Sequence, residues 1–97
     1  MGLIQVKDED IHSHLRARML QRGVSREEIE VTLNQGWEAA DAKPGTRGKV
    51  FIFPYKAEWE GQFYEEKEVT VYYKVREGKL IILTVKARYG SFQGGMR

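Results

Sequence analysis

The chain has no cysteine and only two prolines in 97 residues. Without cysteine, disulfide staples and thiolate metal sites are excluded. No apolar run approaches the roughly eighteen residues that a membrane-spanning helix requires. The first residues, Met1-Gly2-Leu3-Ile4-Gln5-Val6-Lys7-Asp8, lack the basic start and apolar block of a secretory signal. Internal repeats and low-complexity segments are missing as well. The expectation is therefore a cytoplasmic protein with no membrane association: one domain over residues 1–97, with a core at about 8–90 and a flexible tail at 91–97.

Charge is present in quantity but segregated. The net charge is only +2. From Arg16 to Arg26 there are four arginines and no acid, from Glu27 to Glu68 ten acids against five bases, and from Lys74 to Arg97 six bases against Glu77 alone. A chain basic at both ends and acidic in the middle forms a positive face if its ends meet in space.

Local signals divide the chain into two helices and three strands. The first helix is expected to begin near Asp8 or Asp10, whose carboxylates suit an N-terminus, and to end at Gly23 in a left-handed conformation. Ser25 with Glu28 forms a capping-box pattern, Val24 and Ile29 are spaced for a hydrophobic staple, and Gly36 supplies a stop, so a second helix is expected over Arg26 to Gln35. Glu38 to Gly48, containing Pro44-Gly45, reads as a loop. Lys49 to Tyr55, Glu66 to Arg76 and Lys79 to Tyr89 are rich in β-branched and aromatic residues and read as strands. Pro54 ends the first of them or confines it to an edge. Lys56 to Glu65 reads as a connection whose Trp59, Phe63 and Tyr64 form either a local aromatic cluster or a binding platform. The fold class is α+β: two N-terminal helices packed on one face of a three- to four-stranded antiparallel sheet, in the order α-α-β-β-β.

The last hairpin decides which side chains share a face. A two-residue Glu77-Gly78 turn would put glutamate at positive φ, so a three-residue loop over Arg76-Glu77-Gly78 is expected. In that register Val69, Val71 and Tyr73 share the core face with Ile81, Leu83 and Val85. The opposite face then carries Tyr72, Lys74, Ile82, Thr84, Lys86 and Arg88. This basic strip suits contacts to an acidic polymer, with Tyr72 or Tyr89 stacking a base, although a merely solvated sheet face has the same composition.

One helical run points to chemistry. In His14-Leu15-Arg16-Ala17-Arg18-Met19-Leu20-Gln21-Arg22-Gly23, His14, Arg18 and Arg22 stand at i, i+4 and i+8, within about one third of the helix circumference. They border the apolar stripe Ile11, Leu15 and Met19, at the lip where the helix meets the domain. Clustered like charges repel, and an anion is their natural guest. The competing reading ties the same residues to acids of the second helix or the loop. His12 is expected to face solvent, and His12 with His14 makes a poor metal pair because residues two apart on a helix diverge.

The pattern His14-x-x-x-Arg18-Met19-x-x-Arg22-Gly23-Val24-Ser25, followed by a short acidic helix and by Ile82-Leu83-Thr84-Val85 and Arg88-Tyr89-Gly90, resembles a family of small bacterial domains of unknown function related to the BrnT and RelE toxins. The resemblance runs from about Asp10 to Tyr89. It implies a RelE-like fold, RNA as the partner, metal-free ribonuclease activity without a cofactor, and neutralisation by a small antitoxin-like protein. His14, Arg18 and Arg22 match the motif; no motif places a general base on the last strand. The site expectation is His14, Arg18, Lys86 and Arg88 as catalytic residues and Arg22, Tyr72, Lys74 and Tyr89 as RNA-binding residues. A non-catalytic protein-interaction module is the rival.

Overall fold

The computed structural model describes residues 3–92. Most of the tail expected at 91–97 lies outside the described residues. The chain folds in the order α1 (Ser13–Arg22), α2 (Arg26–Gln35), β1 (Trp37–Glu38), β2 (Arg47–Trp59), β3 (Gln62–Arg76) and β4 (Lys79–Gly90). The strands form one sheet in sequence order, each antiparallel to its neighbour. The α+β arrangement holds, and the two-residue β1 supplies a fourth strand.

Local capping chemistry sets the helices. Ser25 Oγ accepts from the Glu28 amide at 3.1 Å while Glu28 Oε1 accepts from the Ser25 amide at 3.0 Å, the reciprocal capping box. Val24 and Ile29 are both buried, as a staple requires. The start of α1 departs from expectation. Asp8–Asp10 form a separate 3-10 turn, and the helix begins at Ser13 with His12 as its N-cap. His12 Nδ1 accepts from the Leu15 amide at 3.3 Å, and Nε2 lies 2.9 Å from the Ile82 carbonyl oxygen. The first contact leaves the proton on Nε2 to be donated to Ile82. His12 is exposed, as expected, but it is a tertiary clasp.

Two hairpins join the long strands, both through Glu-Gly pairs at positive φ: Glu60 and Gly61 at 52° and 85°, Glu77 and Gly78 at 53° and 78°. The strand Lys56–Trp59 and its partner Gln62–Glu65 thus replace the expected irregular connection. Arg76 pairs with Lys79, so the last turn has two residues and corrects the three-residue expectation. Two consecutive left-handed residues match the right-handed twist of the flanking strands, which outweighs roughly 1 kcal/mol of strain at glutamate. A bulge then restores the phase: Tyr73 pairs with Ile82 and Tyr72 with Thr84, leaving Leu83 as the extra residue. As a result Ile82, rather than Ile81, faces the core, and it is buried to 3% exposure.

The core lies between the helices and one sheet face, where Leu15, Ile29 and Leu33 meet Val69, Val71, Tyr73, Ile82 and Val85. Val6 joins it ahead of the 3-10 turn. That N-terminal segment runs along α2, with Asn34 bracketing Ile4 (Oδ1 accepting from its amide at 2.8 Å, Nδ2 donating to its carbonyl at 3.0 Å) and Glu30 Oε2 accepting from the Val6 amide at 2.7 Å. No helix among the described residues is long and apolar enough to cross a membrane.

Candidate anion-binding cleft

The C-terminal end of α1 is fastened to the sheet by side chains far away in sequence. Gly23 adopts φ 69°, and a Cβ there would sit 2.6 Å from the Trp59 ring and 2.8 Å from Tyr89 Oη. Only glycine satisfies both the left-handed cap and the close approach. Tyr89 Oη donates to the Arg22 carbonyl at 2.6 Å, and Lys67 Nζ donates to the Gly23 carbonyl. The carbonyls that a helix end leaves without partners thus acquire donors, one of them cationic. Lys67 is 3% exposed and is neutralised by Glu28, whose two oxygens lie 2.8 and 3.0 Å away. The rings of Tyr55 and Tyr89 flank its ammonium at 5.3 and 5.6 Å.

This anchoring sends the Arg22 side chain over β4. A cavity of about 480 Å3 opens between α1, the bulged segment of β4 and the loop after β1. From α1 it receives His14, Arg18 and Arg22; from the sheet Tyr72, Thr84 and Lys86; from the loop Asp41, Lys43 and Thr46. Four permanent cations (Arg18, Arg22, Lys43, Lys86) thus face one carboxylate, Asp41. The basic ends of the chain do meet.

Arg22 Nε is buried and has no hydrogen-bond partner among the described residues. A buried charged donor left unmatched costs on the order of 1–3 kcal/mol or more. Asp41, Tyr72 and Lys86 are engaged with one another. Asp41 accepts from Tyr72 Oη at 2.9 and 3.0 Å and from Lys86 Nζ at 3.1 Å. The Tyr72 hydroxyl, and then the Lys86 ammonium, hold the Asp41 carboxyl below its ordinary value. The same contacts, Tyr72 first, raise Lys86 and keep it cationic. Burial is the main cause that raises Tyr72.

Five of the eight expected site residues therefore share one cleft: His14, Arg18, Arg22, Tyr72 and Lys86. Arg88 lies beyond it, donating to Glu68 at 2.9 and 3.2 Å, an arrangement that raises its pKa, and with Phe92 under its guanidinium at 4.8 Å. Lys74 lines neither the cleft nor the cavity beside it. Tyr89 lies on the helix-facing side, opposite Lys67 in register, with its ring stacked on Trp59 at 5.0 Å. Its surfaces are taken by the aromatic cluster, which fits the structural role of Trp59 and Tyr64 better than a binding platform; Phe63 is 54% exposed. Asp41, Lys43 and Thr46 escaped sequence reasoning, because nothing local distinguishes them from ordinary loop residues.

His12 and His14 stack at 6.1 Å, but both nitrogens of His12 are engaged. No group of three or more metal-binding side chains converges among the described residues. No family model, curated protein or solved structure matches the chain.

Proposed function

We propose that the cleft between α1 and β4 binds the phosphodiester backbone of single-stranded RNA and that His14 promotes metal-independent strand cleavage there, the activity of a RelE/BrnT-like domain. The observation that carries the reading is Arg22: a guanidinium nitrogen buried without an acceptor, in a cleft where four cations face one carboxylate. A phosphate in the cleft would be held by the Arg22 side chain that lines it, guanidinium being the group best shaped for the purpose. Arg18, Lys43 and Lys86 surround the same space and balance the second phosphate charge along a strand. His14 lies one turn before Arg18, and imidazole is the residue type suited to take a proton from a ribose 2′-hydroxyl near neutral pH. Attack of that oxygen on the adjacent phosphorus would break the bond to the 5′-oxygen, with the cations holding the charge of the pentavalent phosphate. The imidazolium formed on His14 returns that proton to the leaving 5′-oxygen, so one residue serves as base and then as acid. An acidic antitoxin-like protein would compete for the same cleft.

The test is the binding of a labelled single-stranded RNA 12-mer over a salt series, followed by gel analysis of the same oligomer in the presence of EDTA. Binding should weaken with salt by about 0.7 log units per decade for each phosphate contacted, and Arg22→Gln should reduce both affinity and slope. His14→Ala should lower cleavage about 100- to 10,000-fold while leaving binding in place. Salt-independent binding, or none, rejects the RNA site. Binding without cleavage by the parent protein rejects the nuclease and leaves a binding module, the rival for which exposed Phe63 at the hairpin tip offers a contact point.

A further inference from the structure

A second cavity, about 610 Å3, opens on the outer sheet face and shares Arg22, Asp41 and Lys86 with the cleft. That volume lies in the range that encloses a small organic ligand. Its charge differs from that of its neighbour: Arg22, Lys86 and Arg88 are matched one for one by Glu38, Asp41 and Glu68. A polymer that alternates a charged link with a neutral ring would place the link in the cationic cleft and the ring in the balanced cavity.

The balanced cavity has a platform for such a ring. Trp37 lines it and is 43% exposed, together with the apolar side chains of Val50, Ala39 and Ala40. The tyrosines expected to stack a base are otherwise occupied. Tyr72 bonds Asp41 and lies under Lys86, whose ammonium is 5.4 Å from the ring, and Tyr89 is half-buried in its stack on Trp59. The backbone beneath Trp37 is tightly fixed. A Cβ at Gly36 would lie 2.5 Å from the carbonyl oxygens of both Thr32 and Val50, and Trp37 pairs with Val50 in register. A fixed backbone with an exposed indole is a pre-organised stacking surface, and stacking tolerates any base because every base has a π-face.

We propose that this cavity is a nucleobase subsite, in which Trp37 stacks on one base of a single-stranded RNA whose neighbouring phosphate lies against Arg22. The subsite rests on the reading of the cleft as an RNA-phosphate site, and the test separates the two. Two labelled 12-mers are compared at low salt: a mixed-sequence single-stranded RNA and a ribose-phosphate chain of the same length without bases. Trp37→Ala should weaken binding of the RNA about 5- to 150-fold, the effect of losing one stacked base, and leave the abasic chain unaffected. Trp37→Phe should keep most of the affinity. The chain has two tryptophans, so in Trp59→Phe protein the emission comes from Trp37 alone; the RNA should quench it and the abasic chain should not.

Equal RNA affinity in the parent and Trp37→Ala, with salt-dependent binding intact, overturns the base subsite and leaves the phosphate cleft standing. Parallel losses on both oligomers mean that Trp37 only supports the fold, which also overturns it. A parent protein that binds neither oligomer removes both readings. If Trp37→Ala does not fold, the emission of Trp59→Phe decides, and unquenched Trp37 emission at saturating RNA overturns the subsite.

Discussion

The phenol of Tyr89 donates a 2.6 Å hydrogen bond to the carbonyl oxygen of Arg22, so β4 fixes the helix turn from which the cleft's unmatched guanidinium extends. Removing the hydroxyl in Tyr89→Phe should cost about 0.5–1.5 kcal/mol in a denaturant melt and weaken RNA binding in step. Burial, and then its neighbour Tyr55, raise the Tyr89 pKa well above the ordinary 10.0. The sign follows from the raised value. The stabilisation is fully present below pH 10.0 and is lost as pH climbs through that value towards the folded-state pKa, because the unfolded phenol ionises first. Melts at about pH 8 and about pH 11 should show the parent losing more stability than Tyr89→Phe over that interval. Equal losses would separate Tyr89 from the alkaline response.

The two histidines should behave oppositely. His12 caps α1 and reaches Ile82, so His12→Ala should destabilise by about 1–2 kcal/mol. His14 is exposed and stacks on His12, so His14→Ala should remain within about 0.5 kcal/mol of the parent. Thermal melts of the two variants side by side test the assignment, and a larger loss for His14→Ala would reverse it.

Breaking the buried pair should be costly and asymmetric. Glu28→Ala leaves Lys67, 3% exposed, without its counter-charge and also removes half of the capping box. A loss of about 3–5 kcal/mol is expected. Lys67→Met keeps the cap and leaves behind a carboxylate that is 22% exposed, so its loss should be smaller. Urea midpoints of the two proteins give the order, and a costlier Lys67→Met would contradict it.

The bulge at Leu83 has a direct readout in stability. Ile82→Ala should cost about 2–5 kcal/mol and Ile81→Ala distinctly less, since Ile82 is in the core and Ile81 is only half-buried on the other face. A straight three-residue hairpin would give the reverse ranking, and guanidinium melts distinguish the two.

Legibility in the sequence followed the range of the interaction. The Ser25–Glu28 capping box, the Val24–Ile29 staple and the left-handed Gly23 each depend on neighbours within about one or two turns, and all three stand as read. The alignment of His14, Arg18 and Arg22 is likewise a consequence of helical periodicity. The hairpin turn was misjudged because the local cost at Glu77 was weighed without the strand twist that offsets it. Once the turn had two residues, a bulge at Leu83 was needed to return Val85 to the core, and no residue in that segment announces a bulge.

Composition and short-range pattern alone determined the α+β class, two capped helices leading into an antiparallel sheet, and a cationic helix face. Tertiary structure decided which histidine is a clasp, which face of β4 is buried, that Tyr89 fastens the end of α1 to the sheet, and which cavities Arg22 lines. The reason is separation along the chain. His12 and Ile82 are 70 residues apart, Arg22 and Tyr89 are 67 apart, and Gly23 and Lys67 are 44 apart. Contacts of that span form only when helices and sheet close on one core, and the chain carries no local mark of them.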